Sequence, residues 1–269
     1  MNKLVNAIDQ VIEENNLPHE WSKEIVAELK ELEHKKEPKN RVDLRSHPFV
    51  TIDGKDAKDF DDAVFCKEES NGFMLQVAIA DVADIVKQGT ELDFEALKRG
   101  TSIYFPKKVI PMLPEEISNN LCSLVPKEDR NVLVCKIIFN KEGVINSYEF
   151  NEAIINSNKR FTYNEVEYLS KDNQVNISSN ILDSIISLKK LTKKLLKERL
   201  KRNALEIDSS EPVLKFNNKD GISEISVPKR LFAHQMIEEA MISANICAAR
   251  FIKKHLGFGV YRVHEEPES

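Results

Sequence analysis

Thr51-Ile52-Asp53-Gly54-Lys55-Asp56-Ala57-Lys58-Asp59-Phe60-Asp61-Asp62-Ala63-Val64 places Asp53, Asp59, Asp61 and Asp62 within ten residues and then runs straight into a strand. Apolar residues stand on both sides, in Pro48-Phe49-Val50 and Ala63-Val64-Phe65, and pull the segment toward a core. Carboxylates drawn inward lose hydration and repel one another. A hard divalent cation relieves both effects, because oxygen ligands suit magnesium or manganese. The window is therefore a candidate metal site first and a loop second.

Working outward, Ala63-Val64-Phe65-Cys66 and Phe73-Met74-Leu75-Gln76-Val77-Ala78-Ile79 flank Ser70-Asn71-Gly72, and Asn-Gly is a strong turn pair, so residues 62–80 predict a β-hairpin. A second hairpin is predicted from Val132–Phe139, the turn Asn140-Lys141-Glu142-Gly143, and Val144–Asn156. Between the two lie a helix near 91–99 and a loop carrying Pro106, Pro111 and Pro114. Residues 1 to about 35 read as two packing helices. Leu4, Ile8, Val11 and Ile12 stripe the first, and Trp21, Ile25, Leu29 and Leu32 stripe the second, after a break at Pro18. The polar stretch His34–Arg41 reads as a linker, so that 1–42 form a helical linker segment and 43–269 the main domain. Residues 178–202 predict a long helix with Ile181, Ile185, Leu188, Leu191 and Leu195 on its apolar face and a dense lysine and arginine run opposite. That run is a solvated face or a phosphate-facing one. Residues 231–255 predict another helix, striped by Ile237, Met241, Ala244 and Ala248. Helices and hairpins interleave without regular βαβ alternation. The expected class is therefore α+β, with a mixed, largely antiparallel sheet and surrounding helices.

Composition narrows the function. At 41% hydrophobic and 31% charged residues over 269, the chain has a globular balance. No apolar run reaches membrane-spanning length and the first residues lack a signal peptide's stretch, which makes the cytoplasm the expected compartment. Cys66, Cys122, Cys135 and Cys247 form no C-x-x-C pair, and the histidines show no H-E-x-x-H spacing, so buried thiols are expected rather than a zinc site. A net charge of −5 weighs against a uniformly basic nucleic-acid binder, although a local basic path can coexist with an acidic centre.

Rival readings of the aspartate window fare unevenly. A calcium loop needs oxygen ligands at positions 1, 3 and 5 and glycine at 6, but a start at Asp59 puts Ala63 and Val64 there, and a start at Asp53 puts Lys55 at position 3. Asp59-Phe60-Asp61 has the D-x-D spacing of a magnesium phosphatase, but that motif follows a hydrophobic strand directly, and here Gly54–Lys58 intervene. A metal-free acidic surface loop sits poorly with the apolar flanks. A two-metal hydrolase fits best, because clustered carboxylates can hold ions that stabilise a phosphoryl transition state.

At this point the window, together with Val77–Val82, Gly100–Pro106, Ile110–Pro114, Ser118–Leu124 and Ile237–Ile242 in that order, strongly resembles the ribonuclease II and ribonuclease R family from about residue 43 onward. The resemblance implies a processive, magnesium-dependent exoribonuclease (manganese as a substitute) that degrades single-stranded RNA from its 3′ end to nucleoside 5′-monophosphates. By position, Asp53, Asp59 and Asp62 resemble the family's metal ligands and Asp61 its essential catalytic carboxylate. Tyr104 resembles the aromatic that stacks on a base near the 3′ end, and Glu238 the acid that contacts the terminal nucleotides.

Two departures qualify that expectation. The family's second aromatic clamp falls at Ile207, which cannot stack. The family also continues past this chain's last residue with an arginine-bearing segment and an S1 domain. The chain is thus expected to be the N-terminal portion of the catalytic domain, feeble or inactive alone, with the missing C-terminal half as its partner if the gene is split. The window leans toward ribonuclease R, whereas Ala244–Arg250 and Leu256–Gly259 lean toward ribonuclease II. A non-catalytic RNA- or metal-binding remnant and a magnesium phosphatase remain as alternatives.

Overall fold

The first hairpin closes in the Ser70-Asn71-Gly72 stretch as expected, but its two turn residues are Ser70 and Asn71, with Gly72 already paired opposite Glu69. In the computed structural model, which describes residues 3–32, 40–169, 177–204, 212–217, 221–261, 263 and 265, β3 (Asp62–Glu69) and β4 (Gly72–Ala80) pair antiparallel from Asp62 opposite Ile79 to Glu69 opposite Gly72. Gly72 is needed at this position. Its φ is +148°, and a Cβ there would lie 1.9 Å from the Phe139 carbonyl oxygen of the neighbouring strand. The second hairpin, β7 (Asp129–Asn140) and β8 (Ile145–Asn156), pairs along its length and lies against β4.

These strands form the centre of a seven-stranded sheet of order β1-β8-β7-β4-β3-β2-β9, with β1 (Val42–Asp43), β2 (Val50–Asp53) and β9 (Lys159–Thr162) completing it. Pairing is antiparallel throughout the interior and parallel only at the two edges, β1 with β8 and β2 with β9. Helices cover both faces, which explains why β4 is buried at every position but Ile79, the polar Gln76 included, instead of alternating. Odd-numbered residues Leu75, Val77, Cys135, Ile137 and Phe139 point into one core, shared with α5 (Tyr163–Tyr168), α6 (Ser179–Lys201) and α7 (Phe232–Leu256). Even-numbered Ala78, Ala80, Val132 and Val134 point into the other, with Ile25 of α2 (Lys23–Leu32) and Leu92 of α4 (Glu91–Arg99). The short helix α3 (Val82–Ile85) follows β4.

The sequence expectations hold for the main elements and need correction in detail. The apolar face of α6 is buried as predicted, and its Ser184 and Ser187 hydroxyls accept the N–H groups of Cys66 and Glu68, covering the β3 edge that β2 leaves free. Its basic run is partly tied down. Lys189 Nζ donates to the carbonyls of Glu167 and Leu169, Lys190 pairs with Glu68, and Arg199 pairs with Glu239. The buried face of α7 runs through Met236, Ala240, Ser243 and Cys247 as well as Ile237 and Ala244. Met241 and Ala248 are only half-buried, because the helix packs against α6 and the sheet at once. In α1 (Lys3–Glu14) Ile8 and Ile12 are buried but Val11 is exposed. The proline-bearing loop holds a small hairpin, β5 (Ile103–Phe105) with β6 (Lys108–Ile110), that packs on α1, followed by a π-helical turn at Glu116–Leu121. A further two-stranded unit, β10 (Val213–Phe216) with β11 (Ile222–Ser226), precedes α7. Most of the predicted linker and Ile207 lie outside the described residues. The four cysteines are buried and free. Among the described residues no helix is long and apolar enough to cross a membrane.

Candidate functional site

β2 and β3 pair at a single position, Val50 opposite Val64, and then part. Asp53 ends one strand and Asp62 begins the other, so the acidic window forms the loop across the gap. Two clamps hold this loop. On one side Ser123, fully buried, accepts the Phe60 N–H at 3.0 Å and donates to the Lys58 carbonyl at 3.2 Å, while Leu124 N–H donates to the Phe60 carbonyl at 2.8 Å. On the other side Arg160 Nη2 donates to the carbonyls of Gly54 and Lys55 at 2.6 and 2.7 Å, and its guanidinium lies 5.4 Å from the centre of the Phe60 ring. The Ala80 N–H donates to the Asp61 carbonyl at 2.9 Å and ties the end of the loop to β4.

The electrostatics follow from this enclosure. Burial pushes the Asp62 carboxyl up to about 7, and Asp53 and Asp61 add repulsion. Burial pushes Asp53 up to about 6 against the pull of Arg160, with Asp59 and Asp61 raising it further. Asp61 reaches solvent, yet the protein packed around it, and then Asp59, raise it as well. Asp59 is exposed. Asp53 Oδ2 and Asp62 Oδ2 are buried with no hydrogen-bond partner. The structure thus brings Asp53, Asp61 and Asp62 close enough to other acids of the window to disfavour their ionisation. Among the described residues, however, no three acidic, histidine or cysteine side chains already converge on a common point. Burial pushes the Cys122 thiol, which feels Asp61, up to about 12, so it stays protonated at neutral pH.

The register of β9 adds a group that the sequence did not reveal. Asp53 pairs with Thr162, and Thr162 caps α5 through a reciprocal box with Glu165. Tyr163 follows directly. Its ring stacks on His234 of α7 at 4.0 Å, and burial, then Asp53, Asp62 and Glu238, push its hydroxyl up to about 12. Tyr163 is thus within electrostatic reach of Asp53, Asp62 and Glu238. The Glu167 carboxylate accepts the Ala233 N–H in the first turn of α7 at 2.9 Å, which fixes the helix that carries Glu238. Glu238 itself pairs with Arg230. Tyr104 stands 72% exposed on the β5–β6 hairpin, outside the sheet that carries the aspartates. The only sequence signal for the β9–α5 corner was the Thr162-x-x-Glu165 capping pattern. Nothing local marked Arg160 or Ser123 as loop clamps.

Known proteins share this sequence and this arrangement. Ribonuclease R of Escherichia coli is 42% identical over 98% of this chain, and that of Vibrio cholerae is 43% identical over 95%. The chain spans about a third of the length of each, 33% and 32%. The structure of Mycoplasma genitalium ribonuclease R in complex with ribose-methylated single-stranded RNA superposes with a TM-score of 0.87 at 32% identity, over 93% of this chain and 40% of that one. The family description "RNB domain" matches residues 41–269, and with the acidic loop, its sheet and this likeness in hand, the chain belongs to the RNB-domain family.

Proposed function

We propose that this chain carries the acidic part of a magnesium-dependent exoribonuclease site that degrades single-stranded RNA from the 3′ end to nucleoside 5′-monophosphates, working in the cytoplasm. The observation that carries the reading is the pair of buried carboxylate oxygens, Asp53 Oδ2 and Asp62 Oδ2, left without partners, in carboxyls that burial and neighbouring acids push up. Such oxygens fit a hard cation and little else at neutral pH. Asp53, Asp59 and Asp62 would hold magnesium, or manganese in its place, and the bound ion would supply Lewis-acid neutralisation of the phosphoryl oxygens.

The remaining roles fall to the chain's own groups. Asp61, exposed at the loop's end, orients the attacking water and accepts its proton. Tyr163 keeps its proton at neutral pH, so its hydroxyl is available as a hydrogen-bond donor to substrate. Glu238 accepts from ribose hydroxyls, a contact that DNA cannot offer in full. Tyr104 presents an exposed ring on which any base can stack. Family membership and the likeness to ribonuclease R support this assignment. A second reading is a metal- or RNA-binding unit without turnover.

Incubation of the chain with end-labelled single-stranded RNA and magnesium tests the proposal, beside Asp61→Asn. Laddering to monophosphates that falls at least ~100-fold in the variant supports the exonuclease. RNA retention without cleavage in both proteins supports the binding unit. Phosphate release from a small monoester, with RNA intact, would replace the nuclease reading with a phosphatase.

A further inference from the structure

Arg160 reaches the acidic loop from a strand about a hundred residues later, through the parallel pairing that sets it opposite Thr51. Its contacts bracket the window. One nitrogen binds the two carbonyls immediately after Asp53, and its guanidinium lies by the ring of Phe60, immediately after Asp59. Asp53 and Asp59 are thus each followed by a residue that the same side chain holds. Arg160 also lays positive charge beside Asp53, opposing the effect of burial there.

Among the described residues no three-ligand cage is preassembled, and magnesium takes only one or two protein carboxylates beside its waters, so the spacing of Asp53 and Asp59 decides whether both reach one ion. The backbone between them decides how far each must travel. We propose, resting on the metal reading above, that Arg160 is a positioning residue that sets the separation of Asp53 and Asp59 and thereby the affinity of the loop for magnesium. A planar, forked cation suits both tasks, since it can hydrogen-bond in its plane while its face lies near an aromatic ring. Lysine retains the charge and can donate to the carbonyls but has no flat face for Phe60. Glutamine lacks the charge and the reach.

The test compares the chain with Arg160→Gln and Arg160→Lys. Three quantities are measured: amide hydrogen exchange of Gly54–Phe60 in EDTA, the magnesium midpoint by calorimetry, and retention of single-stranded RNA in EDTA. The expected result for Arg160→Gln is faster exchange confined to the loop, a midpoint raised on the order of tenfold, and RNA retention within about twofold of the parent, with the Arg160→Lys variant in between. An unchanged midpoint with a lowered melting temperature would make Arg160 merely structural and overturn the proposal. Weakened RNA retention with an unchanged midpoint would make it a phosphate contact and overturn it equally. If glutamine prevents folding, the lysine variant decides on the same criteria. If the parent chain takes up no magnesium, the metal reading fails on its own, and so does this proposal for affinity. Loop exchange in EDTA then still reports whether the clamp itself exists.

Discussion

Asp62→Asn offers a sharp separation of what the acidic loop does for folding from what it does for function. Burial and two neighbouring acids hold the Asp62 carboxyl at about 7 against an ordinary 3.8. Converted at about 1.4 kcal/mol per tenfold, that gap is ~4 kcal/mol of destabilisation once the group is fully ionised. Asparagine abolishes the charge but leaves a buried amide in need of partners, a penalty of about 1–3 kcal/mol. The metal-free variant should therefore be more stable than the parent at pH 8 by ~2 kcal/mol. The sign follows from linkage. A carboxyl raised in the folded state contributes fully below its unfolded value near 4, and the contribution disappears as pH climbs through about 7. With EDTA, the parent should lose stability between pH 5 and pH 8, and the variant should lose clearly less, because only Asp53 and Asp61 then still carry raised carboxyls. Magnesium at pH 8 should restore the parent and leave the variant unmoved. Urea denaturation at the two pH values, with EDTA or with magnesium, reads all four states. A parent equally stable at both pH values in EDTA, or a variant less stable than the parent at pH 8, would refute the claim that the loop buries unpaired charge.

Two further expectations concern the frame around the site. Gly72→Ala drives a methyl group to within 1.9 Å of a neighbouring strand's backbone oxygen at a positive φ, so it should lower the urea midpoint by the equivalent of ~3 kcal/mol or more, or prevent folding. Arg199→Ala leaves Glu239, whose side chain is 5% exposed, without its cation and should cost about 3–5 kcal/mol, whereas the double change Arg199→Ala with Glu239→Leu should recover most of the loss in the same denaturation assay.

How far the sequence carried the reading depended on range. The β3–β4 hairpin was legible because Ser70-Asn71-Gly72 interrupts two long strand-like runs. The helix α6 was legible because its apolar spacing persists from Ile181 to Leu195. Strands of two to four residues, β1, β2, β5, β6 and β9, carry no periodicity of their own and exist only because a partner strand completes them. The edge pairings of β1 and β2 are parallel and non-local, so no turn chemistry announces them. The same division runs through the site. Asp53, Asp59, Asp61 and Asp62 could be named because they are neighbours in the chain. Ser123, Arg160 and Tyr163 could not, because they become neighbours only through the register of the sheet.

That register also explains why the acids stand where they do. β2 leaves β3 after one pair and turns its hydrogen bonds to β9, so the sheet opens at the ends that carry Asp53 and Asp62. A continuous antiparallel pairing would have closed that gap with backbone hydrogen bonds and pressed the two carboxylates onto a flat sheet surface, where water would reach them. The parting leaves room for a loop, and the loop needs fastening at both ends, which Ser123 and Arg160 provide from opposite sides. The unpaired buried oxygens are thus located where β2 and β3 have already parted and lack cross-strand bonds to each other. A fold optimised for stability alone would have placed apolar side chains there. That local departure, rather than the sheet as such, is what ties the architecture to a charged ligand, because a shared fold by itself does not carry chemistry.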